Sequence, residues 1–67
     1  MYGINVYPNY TGDNFKRMDW TEIEKALTDA GFSIERESDS NQIFVDGYYG
    51  EAVEIINALG YATDEDE

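Results

Sequence analysis

Tyr2, Ile4 and Val6 alternate with Gly3, Asn5 and Tyr7. That period of two marks a strand with one buried face. Pro8 ends it, because proline has no N–H to give to a ladder. Residues 8–18 have turn chemistry and no clear period, and they read as a long connection. Asp19 then stands where a helix N-cap belongs, with Glu22 three residues on completing a capping-box-like pair. Trp20, Ile23, Leu27 and Ala30 recur at helical spacing with Ala26 beside them, while Glu22, Lys25 and Asp29 lie on the other side. Gly31 ends this helix, as a residue free to turn left-handed does.

Phe32, Ile34 and Arg36 alternate with Ser33, Glu35 and Glu37, which predicts a second strand. Asp39-Ser40-Asn41 is a turn by composition. Ile43-Phe44-Val45 makes a third strand, the hairpin partner of the second, and Asp46-Gly47 breaks it. Ala52, Val53, Ile56 and Leu59 form the apolar stripe of a second helix, flanked by Ile55 and by Tyr48 and Tyr49, with Gly60 at its end. The helices finish alike, as Ala30-Gly31-Phe32 and Leu59-Gly60-Tyr61. Tyr61-Ala62-Thr63 is short enough to be only a vestigial last strand. The order β-α-β-β-α(-β) predicts a small α+β domain, ferredoxin-like or a truncated split βαβ sandwich. An antiparallel sheet with both helices on one face leaves the other face open. Residues 1–63 make the domain, and 64–67 read as an acidic, disordered tail.

A chain of 67 residues has room for one core. It contains no cysteine and no histidine. Disulfides, thiolate metal sites, the usual general base and the usual imidazole ligand are therefore all excluded. One Trp, three Phe and six Tyr supply large rings on which so short a chain can fold. No apolar run approaches the ~20 residues that span a bilayer, and Met1-Tyr2-Gly3-Ile4-Asn5 lacks the pattern of a signal peptide. The expected location is the cytoplasm.

Charge changes the picture most. Fifteen acidic residues face four basic ones, for a net of −11. Lys16, Arg17, Lys25 and Arg36 all lie in residues 1–36, which net −2, whereas residues 37–67 carry nine acids and no cation. Such a field repels nucleic acid and anionic membrane and attracts basic surfaces.

The candidate chemistry is narrow. Ser33, Ser38 and Ser40 have no histidine to activate them, and carboxylate pairs in so short a chain have little room for a substrate cleft. Glu37, Asp39 and Asn41 open like a calcium loop, but Gln42 and Tyr48 occupy the positions that need glycine and a carboxylate. No enzyme, metal site or cofactor is expected. Tyr7 and Phe44 are placed like RNA-stacking aromatics on an open sheet, yet the charge lacks the term that supplies most nucleic-acid affinity. The acidic surface itself remains. If the second strand persists, Glu35, Glu37 and Asp39 point to one side at steps of roughly 6.6 Å, a fair imitation of one phosphate strand. Asp46, Glu51 and Glu54 add acids, and Tyr48 and Tyr49 offer the contact area and polar handle that interfaces favour.

In size, charge and missing catalytic groups the chain resembles the small acidic inhibitors that phages and mobile elements deploy. These include DNA mimics among anti-CRISPR and anti-restriction proteins. The resemblance implies a stoichiometric inhibitor whose partner is a basic nucleic-acid-binding protein or complex, with no direct contact to nucleic acid or membrane. The expected partner-binding residues are Glu35, Glu37, Asp39, Asp46, Tyr48, Tyr49, Glu51 and Glu54. An adaptor or dimerisation domain whose acidity only gives solubility is the alternative, as is adaptation to high salt. Monomer and homodimer both stay open.

Overall fold

The alternation at the start of the chain becomes a central strand. A computed structural model describes residues 2–9 and 16–66. Its elements are β1 (Tyr2–Tyr7), α1 (Trp20–Asp29), β2 (Ser33–Arg36), β3 (Gln42–Asp46), α2 (Tyr49–Ala58) and β4 (Ala62–Asp66). The strands form one antiparallel sheet in the order β2-β3-β1-β4. β1 and β2, joined through α1, are separated by β3; β3 and β4, joined through α2, are separated by β1. Each βαβ half is thus split by a strand of the other, and the protein is an α+β domain.

Both helices pack on one face of the sheet. Ile4 and Val6 of β1 and Ile43 and Val45 of β3 meet Ile23 and Leu27 of α1 and Ala52 and Ile56 of α2, all fully buried. Phe32 and Tyr61, the aromatics after the helices, complete the core. With no disulfide to help, these side chains hold the fold. Truncating one of the large ones to alanine costs about 2–5 kcal/mol, against about 5–15 kcal/mol for a whole domain.

The helix ends repeat one device. Gly31 and Gly60 adopt φ of 97° and 108°, which a residue without Cβ does at no steric cost. The Phe32 N–H then donates to the Leu27 carbonyl at 3.0 Å and the Tyr61 N–H to the Ile56 carbonyl at 3.4 Å. These are the long bonds of two Schellman motifs, and they explain why both aromatics fold back into the core. At the start of α1 the Glu22 N–H donates to Asp19 Oδ1 at 3.3 Å. The reciprocal half of the capping box is absent. The Asp19 N–H donates instead to the Tyr61 hydroxyl at 3.2 Å, from the far end of the chain.

Three boundaries differ from the sequence reading. Ala30 is exposed as the C-cap of α1 instead of lying in its buried stripe. β2 stops at Arg36, so Glu37 and Asp39 are not strand residues. β4 runs to Asp66, giving strand backbone to three residues read as tail. It pairs with β1 from Tyr7↔Ala62 to Gly3↔Asp66. Asp and Glu are poor strand formers, but an unpaired edge on β1 would leave N–H and C=O groups open along a core strand. Pairing overrides propensity here. In the long connection Asn9 and Lys16 exchange backbone hydrogen bonds at 3.1 and 2.7 Å. The rest of that loop, 10–15, lies outside the described residues. Among the described residues no helix is long and apolar enough to cross a membrane.

Candidate partner-binding surfaces

The face of the sheet turned away from the helices is built by register. Glu35 pairs with Phe44, which pairs with Gly3, so all three share that face. Ser33 pairs with Asp46, and Asn5 pairs with both Gln42 and Asp64. Tyr7 lies opposite Ala62. The face therefore presents the acids Glu35, Asp46 and Asp64 and two exposed aromatics, Phe44 at 36% and Tyr7 at 39%. None of its described register positions holds a lysine or arginine. Gly3 leaves room there for its neighbours, because a Cβ would come within 2.5 Å of Gln42 Nε2 and 3.0 Å of Phe44 Cε1.

The expected row of three carboxylates is not carried by a strand. Arg36 supplies the reason. Its guanidinium lies 4.3 Å over the Trp20 ring and donates to the carbonyls of Glu37 at 2.9 Å and Ser40 at 3.0 Å. Those bonds close the turn, so Asp39 lies in the turn and only Glu37 follows Glu35 directly. With Ile34, Arg36 and Phe44 these two acids line a groove of about 490 Å³ along the outer edge of β2.

Glu51 and Glu54 do not join that surface. Ala52 and Ile56 are the buried residues of α2. At 100° per residue Glu54 points away from the sheet and Glu51 lies on the flank. The surface expected across residues 35–54 is two surfaces, separated by the thickness of the domain.

A third feature stands at the start of α2. Tyr48, the N-cap, is 70% exposed and makes no side-chain cap hydrogen bond. The Tyr49 ring lies 5.9 Å from that of Tyr48 and 5.1 Å from that of Tyr2. Tyr49 is 38% exposed and Tyr2 55%. Gly50 leaves room for this arrangement, since a Cβ there would meet the Tyr48 ring at 2.9 Å. The sequence pointed to Tyr48 and Tyr49 but not to Tyr2, which alternates like a core residue. Only the topology brings the beginning of β1 beside the beginning of α2.

The cations are engaged elsewhere. Lys16 Nζ lies 2.8 Å from Glu22 Oε1 and 5.2 Å from the centre of the Tyr61 ring. The Tyr61 hydroxyl donates to the same Glu22 oxygen at 3.0 Å. Lys16, then Tyr61, hold the Glu22 carboxyl below its ordinary value. Burial, then the bond to Glu22, push the Tyr61 hydroxyl up to about 12. Lys25 pairs with Asp29 at 2.8 Å, which raises the lysine. Among the described residues no group of three acids converges as a metal site would need.

No family model matches this chain, and comparison with curated proteins and with solved structures gives no match.

Proposed function

We propose that this protein is a non-catalytic, stoichiometric inhibitor of the DNA-mimic or anti-CRISPR kind. Its acidic sheet face occupies the nucleic-acid-binding groove of a basic protein or complex. The observation that carries this reading is the open face of the sheet: it presents Glu35, Asp46 and Asp64 together with exposed Phe44 and Tyr7, with no cation among its described register positions. Exposed rings with acids on the same face have the layout of an interface, and the charge selects a basic partner. Lys16, Lys25 and Arg36 are already held by Glu22, Asp29 and Trp20, so they do little to offset the field at that face. A net charge of −11 steers a basic partner toward the domain, an attraction that weakens as salt rises. A second copy on the same face would meet its own carboxylates, which disfavours an adaptor that works by self-association.

The test sets the two acidic surfaces against each other. Immobilised protein is offered nucleic-acid-processing complexes, eluted with a salt gradient and challenged with duplex DNA or RNA. We expect one complex to be retained, displaced by nucleic acid, and lost when Glu35, Asp46 and Asp64 are all changed to lysine. Changing Glu51 and Glu54 to lysine weakens it less. Retention that survives the sheet-face substitutions, or that ignores both salt and nucleic acid, refutes the proposal.

A further inference from the structure

The two ends of the sheet treat their aromatic rings differently. At the end where β1 finishes and α1 begins, two rings carry a cation each: Arg36 over Trp20 at 4.3 Å and Lys16 over Tyr61 at 5.2 Å. At the other end, where Tyr2 pairs with Val45 and α2 begins, the Tyr49 ring lies against those of Tyr2 and Tyr48. Among the described residues no lysine or arginine lies over any of these three rings. Exposed Glu51 lies in the first turn of α2, just after Tyr48 and Tyr49. Glu51, three residues beyond Tyr48, follows it up the same side of α2.

Three exposed rings with a carboxylate beside them and, among the described residues, no internal cation form a receptor for a cation from outside. Ring faces are negative, and a planar guanidinium both stacks on them and forks onto a carboxylate, which an ammonium does less well. We propose that the Tyr2–Tyr48–Tyr49 cluster, with Glu51 beside it, is a docking site for an arginine side chain of the protein partner. This rests on the reading of the protein as a binder of basic surfaces, and it adds the residue type that anchors the complex. The site is preorganised. Tyr49 sits between the other two rings, and Tyr48 lies across Gly50, so little side-chain freedom remains to be lost on binding. Interfaces draw their largest single contributions from such Tyr and Arg contacts.

The experiment uses two blocked peptides of equal charge, one with four arginines and one with four lysines. Each is titrated into the full chain while tyrosine ring resonances are followed by NMR. We expect the arginine peptide to bind about threefold to tenfold tighter than the lysine peptide, with the largest shifts on Tyr2, Tyr48 and Tyr49. Tyr48→Ala abolishes the preference, whereas Tyr48→Phe, which keeps the ring face, retains it; circular dichroism checks that both fold. Equal affinity for the two peptides, or shifts confined to the sheet face, overturns the proposal, as does a single-stranded oligonucleotide that shifts the same rings. The broader reading fails separately. A captured complex indifferent to Tyr48→Ala removes the arginine site alone, and the loss of salt-sensitive capture with the arginine preference intact removes the inhibitor alone.

Discussion

Two tyrosines define the difference between the ends of this molecule. Tyr61 is 3% exposed, carries Lys16 over its ring, donates to Glu22 and receives the Asp19 N–H. Tyr48 is 70% exposed, with its ring against Tyr49 and Gly50. The first ring ties the C-terminal strand to the N-cap of α1, across 42 residues of chain. The second has no such long-range hydrogen bond among the described residues, and its ring rests against that of Tyr49. One end invests its aromatic and charged groups in stability, and the other leaves them facing solvent. An exposed ring with no folding role calls for another role.

The largest way to break this comparison is Tyr61→Ala. It empties a core position and strands the Asp19 N–H, and we expect a loss of about 3–5 kcal/mol, read as the urea midpoint. A loss below 1 kcal/mol would remove Tyr61 as the fastener of that end.

A finer cut is Tyr61→Phe, which keeps the ring and deletes the hydroxyl, at a cost of about 0.5–1.5 kcal/mol. It carries a pH signature as well. The hydroxyl ordinarily ionises at 10.0 and is pushed up to about 12, so its contribution is complete below pH 10 and is lost as pH rises from 10 toward 12. Absorbance of tyrosinate should show one late step near pH 12 that Tyr61→Phe lacks, and the variant's stability should fall less steeply over that range. Glu22 works in the opposite sense. Its carboxyl is depressed from 4.5, so its contribution is present above that pH and lost as pH falls below it. Glu22→Gln should flatten the acid limb of the stability curve, and an unchanged limb would mean the Lys16–Glu22–Tyr61 contact does not act in solution.

The smallest expected effect is on the stability of Tyr48→Ala, within about ±0.5 kcal/mol by the same urea assay. If it matched Tyr61→Ala, the two ends would not differ and the exposed cluster would be structural.

The parts of the fold that follow from local chemistry were legible in the sequence. Asp19 caps α1, Gly31 and Gly60 end the helices, Lys25 meets Asp29, and Ile4, Val6, Ile43 and Val45 are buried as their alternation demands. What escaped depends on contacts distant in the chain. Tyr61 completes the α1 cap in place of Glu22, which no local pattern encodes. β4 forms from Ala-Thr-Asp-Glu-Asp because β1 offers it an edge. Arg36 looked like one more alternating strand residue, but Trp20 draws it inward and ends the carboxylate row. The candidate acids were individually exposed as read. Their division between two faces needed the helix–sheet layering, because Glu35 and Glu54 are close in sequence but sit on different layers.

β4 has one more consequence, for self-assembly. It is an outermost strand of the sheet, and its sequence ends in three consecutive carboxylates. A growing β-ribbon would have to stack those charges against copies of themselves, so the border is protected by like-charge repulsion in place of a covering helix or a bulge. That protection is chemical and reversible. Added salt screens those charges while the hydrogen-bonding rim stays the same, and the border becomes a template for polymerisation.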